Sequence, residues 1–322
     1  MSSPRRYVGR KVLQALATLV FVLTVNFLLF RILPGDPVSI LARSQRLTEQ
    51  DVAELQHELG LDRPLARQYV IYMGQMLRGD LGVSLLTGDE VAGIVASRIW
   101  PTLLLVGLGT LFATIIGVWI GVKGAWRRGR GFDRSSLLAS LALYSTPEGW
   151  LGMLFLLVFA GILGWFPAGG YVTQGLEGAA RIADIAEHLF LPVLTLTLGY
   201  VGEYAIVMRS SMLDVLNEDF VTSARAKGVP EPEIRRRHVV PNAFLPTFTL
   251  IFLNIGFVLG GAVVIEAVFS WPGLGRLAYD SIDRVDYPVI QGVFLVASVG
   301  VIVFNLIADV AYGFLDPRVR GA

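Results

Sequence analysis

The sequence predicts an all-α membrane protein of six transmembrane helices, with an external helical segment after the first helix. Three observations carry that prediction. The 322 residues are 54% hydrophobic, and only 16% are charged, against about 25% charged in a typical soluble domain. The apolar residues gather into six long runs with polar connections between them. Lysine and arginine crowd into alternate connections, which is the charge asymmetry of a multi-pass chain.

Each run is judged against a bilayer core about 30 Å thick, which takes roughly 20 residues of helix at 1.5 Å each. Residues 12–30, 101–122, 135–163, 189–208, 247–269 and 289–314 qualify, the third being long and broken near Pro147. Each is expected to be helical, because an unpaired backbone group facing lipid costs several kcal/mol. The first run is too long for a signal-peptide core and is followed by RILPGDP rather than a small-residue cleavage site, so a retained helix is expected.

Orientation follows from charge. Residues 1–11 hold Arg5, Arg6, Arg10 and Lys11, and residues 123–134 hold Lys123, Arg127, Arg128, Arg130 and Arg134 against Asp133 alone. Six more basic residues lie in 209–241, and Arg318 and Arg320 close the tail. The intervening connections are poorer in basic residues, and in 31–98 acids outnumber them. Both termini are therefore expected in the cytoplasm of a plasma-membrane protein, with the connection around residue 225 on the same side.

The segment after the first span has its own helical signals. In 48–59 Thr48 and Asp51 form a variant capping box, Gly60 stops the helix and Pro64 starts another. Leu65, Tyr69, Tyr72, Met73, Met76 and Leu77 then share one helical face. Two short external helices fit a lid over the bundle and equally a surface for an external partner.

Chemistry is limited by what is missing. With no cysteine, disulfides, thiolate catalysis and Cys-based metal sites are excluded. His57, His188 and His238 are far apart and show no H-E-x-x-H spacing, so no metal site is expected. No Ser/His pair or G-x-S-x-G supports an intramembrane hydrolase, and no G-x-x-x-x-G-K-[ST] supports ATP hydrolysis in this chain. A net charge of +1 gives no reason to expect a nucleic-acid partner.

One polar stretch stands out between the fourth and fifth spans, FVTSARAKGVPEPEIRRRHVVPNAFLP at 220–246. Residues 213–227 fit a helix on which Ala224, Ala226 and Gly228 leave a nearly bare surface. Gly228 suits an αL cap, and Pro230 and Pro232 prevent the helix from resuming. A second polar segment from Arg235 to Arg237 is expected to end at Pro241. On spacing alone a stiff cytoplasmic knob and an ordinary amphipathic loop fit equally.

The same stretch resembles the cytoplasmic coupling motif of ABC-importer permeases, E-A-A-x-x-x-G followed by Leu-Pro. Gly228 takes the glycine position, Ala224 the second alanine and Val240-Pro241 the Leu-Pro, while Thr222 and Ser223 replace the glutamate and first alanine. The likeness extends in order through RILPGDP (31–37), LGLDRPLARQY (59–69), LRGDLGVSLLTG (77–88), NEDFVTSARAKG (217–228), GGAVVIEAVFSWPGLGRL (260–277), DYPVIQG (286–292) and LDPRVR (315–320). Together these resemble the dipeptide/oligopeptide/nickel branch of binding-protein-dependent importers.

That resemblance implies a MetI-like permease bundle, a translocation subunit rather than an enzyme. It implies a second homologous permease subunit, two cytoplasmic ATP-binding subunits holding ATP and Mg, an extracytoplasmic substrate-binding protein, and a prokaryotic inner-membrane location. It divides the chain into a tail and first helix (1–31), an external segment (32–98), a five-helix core (99–316) with its coupling loop at 213–241, and a cytoplasmic tail (317–322). Thr222, Ser223, Ala224, Arg225, Ala226, Lys227, Gly228 and Pro241 would then meet an ATPase subunit.

For the path itself the sequence offers acids within or near spans, Glu148, Glu203, Glu266 and Asp309, since intramembrane acids are costly and suggest a pathway. Glu203, fifteen residues into the fourth span, is placed to meet a substrate amine. Hydrogen bonding between helices is the competing reading for Glu266 and Asp309. Trp271, Pro272, Gly273, Leu274 and Gly275 at the external end suit either a gate element or an interfacial anchor. Gly107, Gly109, Gly117, Gly121, Gly256, Gly260 and Gly261 suit close helix packing. A self-contained secondary transporter or channel is the alternative, although it would need no coupling knob.

Overall fold

The computed structural model describes residues 4–32 and 62–315, with Thr48, Gln50 and His57 as isolated positions between them. The expected helix at 48–59, most of RILPGDP and all but the first residue of LDPRVR lie outside the described residues. Within them the chain is helical, with one isolated antiparallel bridge, Val83 to Glu90.

Five helices are long and apolar enough to cross a membrane, or six if a bent pair is counted as one span. α1 (Pro4–Ile32), α3 (Val91–Trp126), α6 (Gly178–Leu216), α8 (Val240–Gly261) and α11 (Tyr287–Leu315) supply the five. The bent pair is α4 (Gly131–Ser145) with α5 (Glu148–Phe155) and its π-helical extension Leu156–Ile162, turned by 95° at Thr146-Pro147. Proline cannot donate to the preceding turn and drives residue 146 into an extended conformation, so the third apolar run folds as two limbs. The fifth run is also divided: α8 stops at Gly261, and α9 (Val263–Val268) follows a break at Ala262.

α3 and α6 form the central pair. Gly109, Ala113, Gly117, Gly121 and Ala125 recur every fourth residue along α3, and all are buried. A Cβ on Gly117 would lie 2.7 Å from Cβ of Tyr204 and 3.0 Å from the Val201 carbonyl, and one on Gly121 would lie 2.7 Å from the Ala205 carbonyl. Backbone-to-backbone approach of this kind replaces the hydrophobic drive that lipid does not supply. Gly107, expected on the same seam, instead has open space around it. On the other side of α6, Gly202 lets the backbone of α4 cross at Ser140.

α1 packs on α11, and their ends are tied. Lys11 Nζ lies 3.0 Å from Asp309 Oδ2, and the Tyr7 hydroxyl donates to the Asp309 carbonyl oxygen at 3.0 Å. Asp309 is thus paired at a helix end. The start of α1 and the end of α11 share one side of the bundle. α2 (Leu65–Leu77) lies against α1: Tyr69 and Thr24 hydroxyls are 2.8 Å apart, and Tyr72 packs with Leu23, Phe27 and Leu295. Tyr69, Tyr72, Met73 and Met76 face this cluster as the periodicity predicts, whereas Leu65 and Leu77 are exposed.

A second tie closes the far side. Asp286, buried before α11, accepts hydrogen bonds from the Ser84 hydroxyl at 2.5 Å and the Leu85 N–H at 3.2 Å. It joins LRGDLGVSLLTG to DYPVIQG across 202 residues of chain. The adjoining Val285 holds φ at 60°, a strained setting for a β-branched residue.

Candidate coupling and translocation site

The polar stretch folds as a compact helical knob. α6 ends at Leu216, where the Asn217 side chain donates to the Leu213 carbonyl at 2.9 Å. A separate helix, α7 (Asp219–Ala226), follows, so the helix expected over 213–227 is broken at Asn217-Glu218. α7 ends in a Schellman motif: Gly228 N–H bonds the Arg225 carbonyl at 2.9 Å, and Val229 N–H bonds the Ala224 carbonyl at 3.2 Å. Gly228 holds φ at 77°, which is why that position needs glycine.

Val221 and Ala224 form the inner face of α7 and pack with Ala125, Met208, Met212, Ile234, Val239 and Ala243. The structure therefore turns Ala224 inward, and the bare outer surface is Ser223, Ala226 and Gly228. Thr222, Arg225, Lys227 and Phe220 are exposed beside them. Arg225 reaches across the turn to Glu231 at 2.8 Å and ties the two limbs together. The return limb is a helical turn (Glu231–Glu233) and a π-helical stretch (Ile234–Val239) running straight into α8. Pro241, expected to stop it, sits exposed as the second residue of α8. The wider π-helical turn before it gives its ring the room an α-helix would deny.

The knob stands directly on the bundle. Arg209, the first residue past the apolar run of α6, makes a paired contact with Asp133 in α4: Nε to Oδ1 at 2.6 Å and Nη2 to Oδ2 at 3.0 Å. Asp133 is 3% exposed and also accepts the Gly129 N–H at 2.8 Å. Sequence reasoning counted both residues only as loop charge. An acid embedded in a basic connection was the available signal.

The candidate path acids separate into two places. Glu203 in α6 accepts from the Asn254 side chain of α8 at 3.0 Å, and the same amide donates to the Tyr204 hydroxyl at 3.3 Å. Glu148, at the start of α5, lies against Gly199 and interacts electrostatically with Glu203 and Tyr200. Both carboxylates are half-buried. Three elements thus converge on one polar patch within the spans, and Asn254 was missing from the sequence reading.

Glu266 in α9 lies elsewhere and is fully buried. Its carboxylate accepts from the Thr102 hydroxyl at 2.7 Å and the Arg276 N–H at 3.0 Å, and Thr102 in turn accepts the Leu274 N–H at 2.8 Å. Gly273 lies so close to the carboxylate that a Cβ there would overlap it, and Gly275 is pressed on the backbone of Val263. Trp271 is fully buried and donates from Nε1 to the Pro101 carbonyl at 2.9 Å, with Tyr171 edge-on at 5.0 Å. Pro272 is half-buried. The segment from Trp271 to Gly275 is therefore wrapped on Glu266, and α10 (Leu274–Asp283) starts from that anchor.

Known proteins resemble this chain in sequence and in fold. A putative peptide permease protein of Brucella suis biovar 1 (strain 1330) is 41% identical over 98% of this chain and 99% of its own length. The glutathione transport system permease protein GsiC of Salmonella choleraesuis (strain SC-B67) is 39% identical over 98% of each chain. A chain of the MetNI methionine ABC transporter, solved in an inward-facing conformation, superposes with a TM-score of 0.55 at 18% identity, covering 69% of this chain and 96% of its own, a likeness of fold. Residues 5–105 match the N-terminal region of binding-protein-dependent transport system membrane components, and residues 68–321 match their main region. The chain belongs to the family of binding-protein-dependent transport system inner membrane components, as a permease subunit of an ABC importer.

Proposed function

We propose that this permease conducts peptides or similar small solutes and takes its driving force through the α7 knob. Partners of the expected kinds complete the machine: a second related permease, two ATP-binding subunits that hold ATP and Mg, and an extracytoplasmic binding protein. The termini and the knob face the cytoplasm, in keeping with the basic residues on that side and with the joined ends of α1 and α11. The division into a first helix, an external segment to residue 98, and a core with a loop at 213–241 follows the same reading.

The observation that carries this reading is the two-faced knob. Val221 and Ala224 root α7 in the bundle core, while Thr222, Ser223, Arg225, Ala226, Lys227 and Gly228 face outward. A short helix closed at one end by a Schellman motif and braced by Arg225–Glu231 can pass a push into α6 and α8 without collapsing. Pro241 belongs to the limb that receives it. Glu203 and Glu148 with Asn254 supply the polar lining of the path, suited to a substrate amine. Glu266 holds Trp271, Pro272, Gly273 and Gly275 in place as the external element.

Affinity purification of the tagged permease from its own cells tests this. An ATP-hydrolysing subunit should come down with it, and Ser223→Trp should weaken that association without lowering the amount of membrane-inserted permease. Recovery of the permease with no ATPase, under conditions that preserve importer complexes, would favour a self-contained channel.

A further inference from the structure

The return limb of the knob carries a feature that coupling leaves unused. Pro232, Glu233, Arg235, Arg236, Arg237 and Val240 line a groove of about 560 Å³. Glu233 pairs with Arg237 at 2.8 Å. Among the described residues neither Arg235 nor Arg236 has an acidic partner, so the groove keeps an excess of positive charge. The three arginines lie on the π-helical stretch Ile234–Val239, a geometry common at functional sites.

Its depth is fixed by Trp126. The Arg235 guanidinium lies 5.3 Å from the centre of the Trp126 ring. Trp126 is the last residue of α3, four past the end of the apolar run at residue 122. At 1.5 Å per residue it stands about 6 Å beyond the hydrocarbon, inside a headgroup layer that adds roughly 5–7 Å on each side. A neighbouring pair repeats the pattern, with Lys123 Nζ 4.4 Å from the Trp119 ring and 4.5 Å from the Phe132 ring. Tryptophan beside a cation is the side-chain grammar of the membrane interface.

We propose that this groove binds the phosphate of an anionic phospholipid headgroup. Guanidinium groups match phosphate oxygens bidentately, and a basic cluster at this depth attracts anionic lipid. The site sits on the limb between α7 and α8, so a bound headgroup steadies the root of the knob and leaves its outer face free.

The test uses the assembled transporter and the isolated full-length permease, both reconstituted in mixed phosphatidylglycerol–phosphatidylcholine vesicles. Lipid retained after extraction is quantified by mass spectrometry. The wild type should retain phosphatidylglycerol preferentially in both preparations. Arg236→Gln should lower that preference about fivefold, and the triple Arg235→Gln, Arg236→Gln, Arg237→Gln about a hundredfold, since each charge near the surface contributes about one such factor. The triple lysine variant, which keeps the charge and loses the bidentate fork, should retain an intermediate preference above that of the glutamine triple, which separates lost charge from lost folding. Undiminished preference in Arg236→Gln and the triple glutamine variant would overturn the proposal. A preference seen only with the ATPase subunits present would hand the groove to the protein partner. Displacement of the lipid by millimolar inorganic phosphate would assign it to a soluble anion, and the lipid assignment would fall.

Discussion

Glu266 and Glu203 are both carboxylates of an apolar chain, yet their surroundings give them different work. Glu266 has Thr102 and the start of α10 as donors and Gly273 laid against it. Thr102→Val removes the hydroxyl that links Glu266 to Leu274, leaving buried polar groups unpaired. It should lower unfolding stability in detergent by about 1–3 kcal/mol. Gly273→Ala should cost a similar amount by overpacking, read as a lower thermal midpoint. Among the described residues Glu203 has one hydrogen-bond donor, the Asn254 amide, with Glu148, Tyr200 and Tyr204 nearby. Glu203→Gln should therefore leave stability nearly unchanged while slowing uptake of cationic peptides relative to neutral ones. Equal slowing of both would remove Glu203 from substrate contact. The sequence singled out these acids but could not sort them. The donors to Glu266 stand 164 residues upstream and 10 downstream, and no local pattern records such a meeting.

At the scale of elements, the knob was legible where its chemistry is local. Gly228, Pro230 and the small residues announce a capped helix, and the Schellman bonds bear that out. Gly228→Asn, which tolerates αL, should preserve the knob, whereas Gly228→Val should strain it by about 1–2 kcal/mol, seen as faster proteolysis between residues 217 and 234. The facing of α7 was not legible, because Ala224 and Ala226 look alike until Met208 and Ile234 are brought beneath one of them. Nor was the Asp133–Arg209 pair, formed by residues 76 apart. That pair fastens α4 and the α3–α4 turn to α6 close above the knob. Asp133→Ala leaves Arg209 without its partner, and because Arg209 is about a fifth exposed the loss should be about 2–3 kcal/mol, at the low end for buried pairs. Adding Arg209→Ala should recover part of it, measured as a double-mutant cycle.

Over the whole molecule, the apolar runs and the distribution of charge carry most of the architecture, since a bilayer admits few alternatives to helices. Four of the six runs became single helices, longer than the apolar run because polar turns at either end continue the same backbone ladder. The 95° bend at Thr146-Pro147 and the break at Ala262 were hidden inside continuous hydrophobicity. A proline marks the first as a kink without giving its angle, and the second has no marker beyond Gly260 and Gly261. Both breaks lie next to candidate path or gate residues, Glu148 and Glu266, which is where departures from regular helix would be of use. Coupling through the outer face of α7 is the central claim, and Ala226→Trp addresses it without touching the buried face. Peptide uptake and ATP hydrolysis should be measured together on the reconstituted transporter. Coupling through this face predicts normal membrane insertion with uptake and peptide-stimulated hydrolysis reduced about tenfold or more, the effect of roughly 1.4 kcal/mol lost at the contact. Wild-type uptake and stimulation in Ala226→Trp would contradict it.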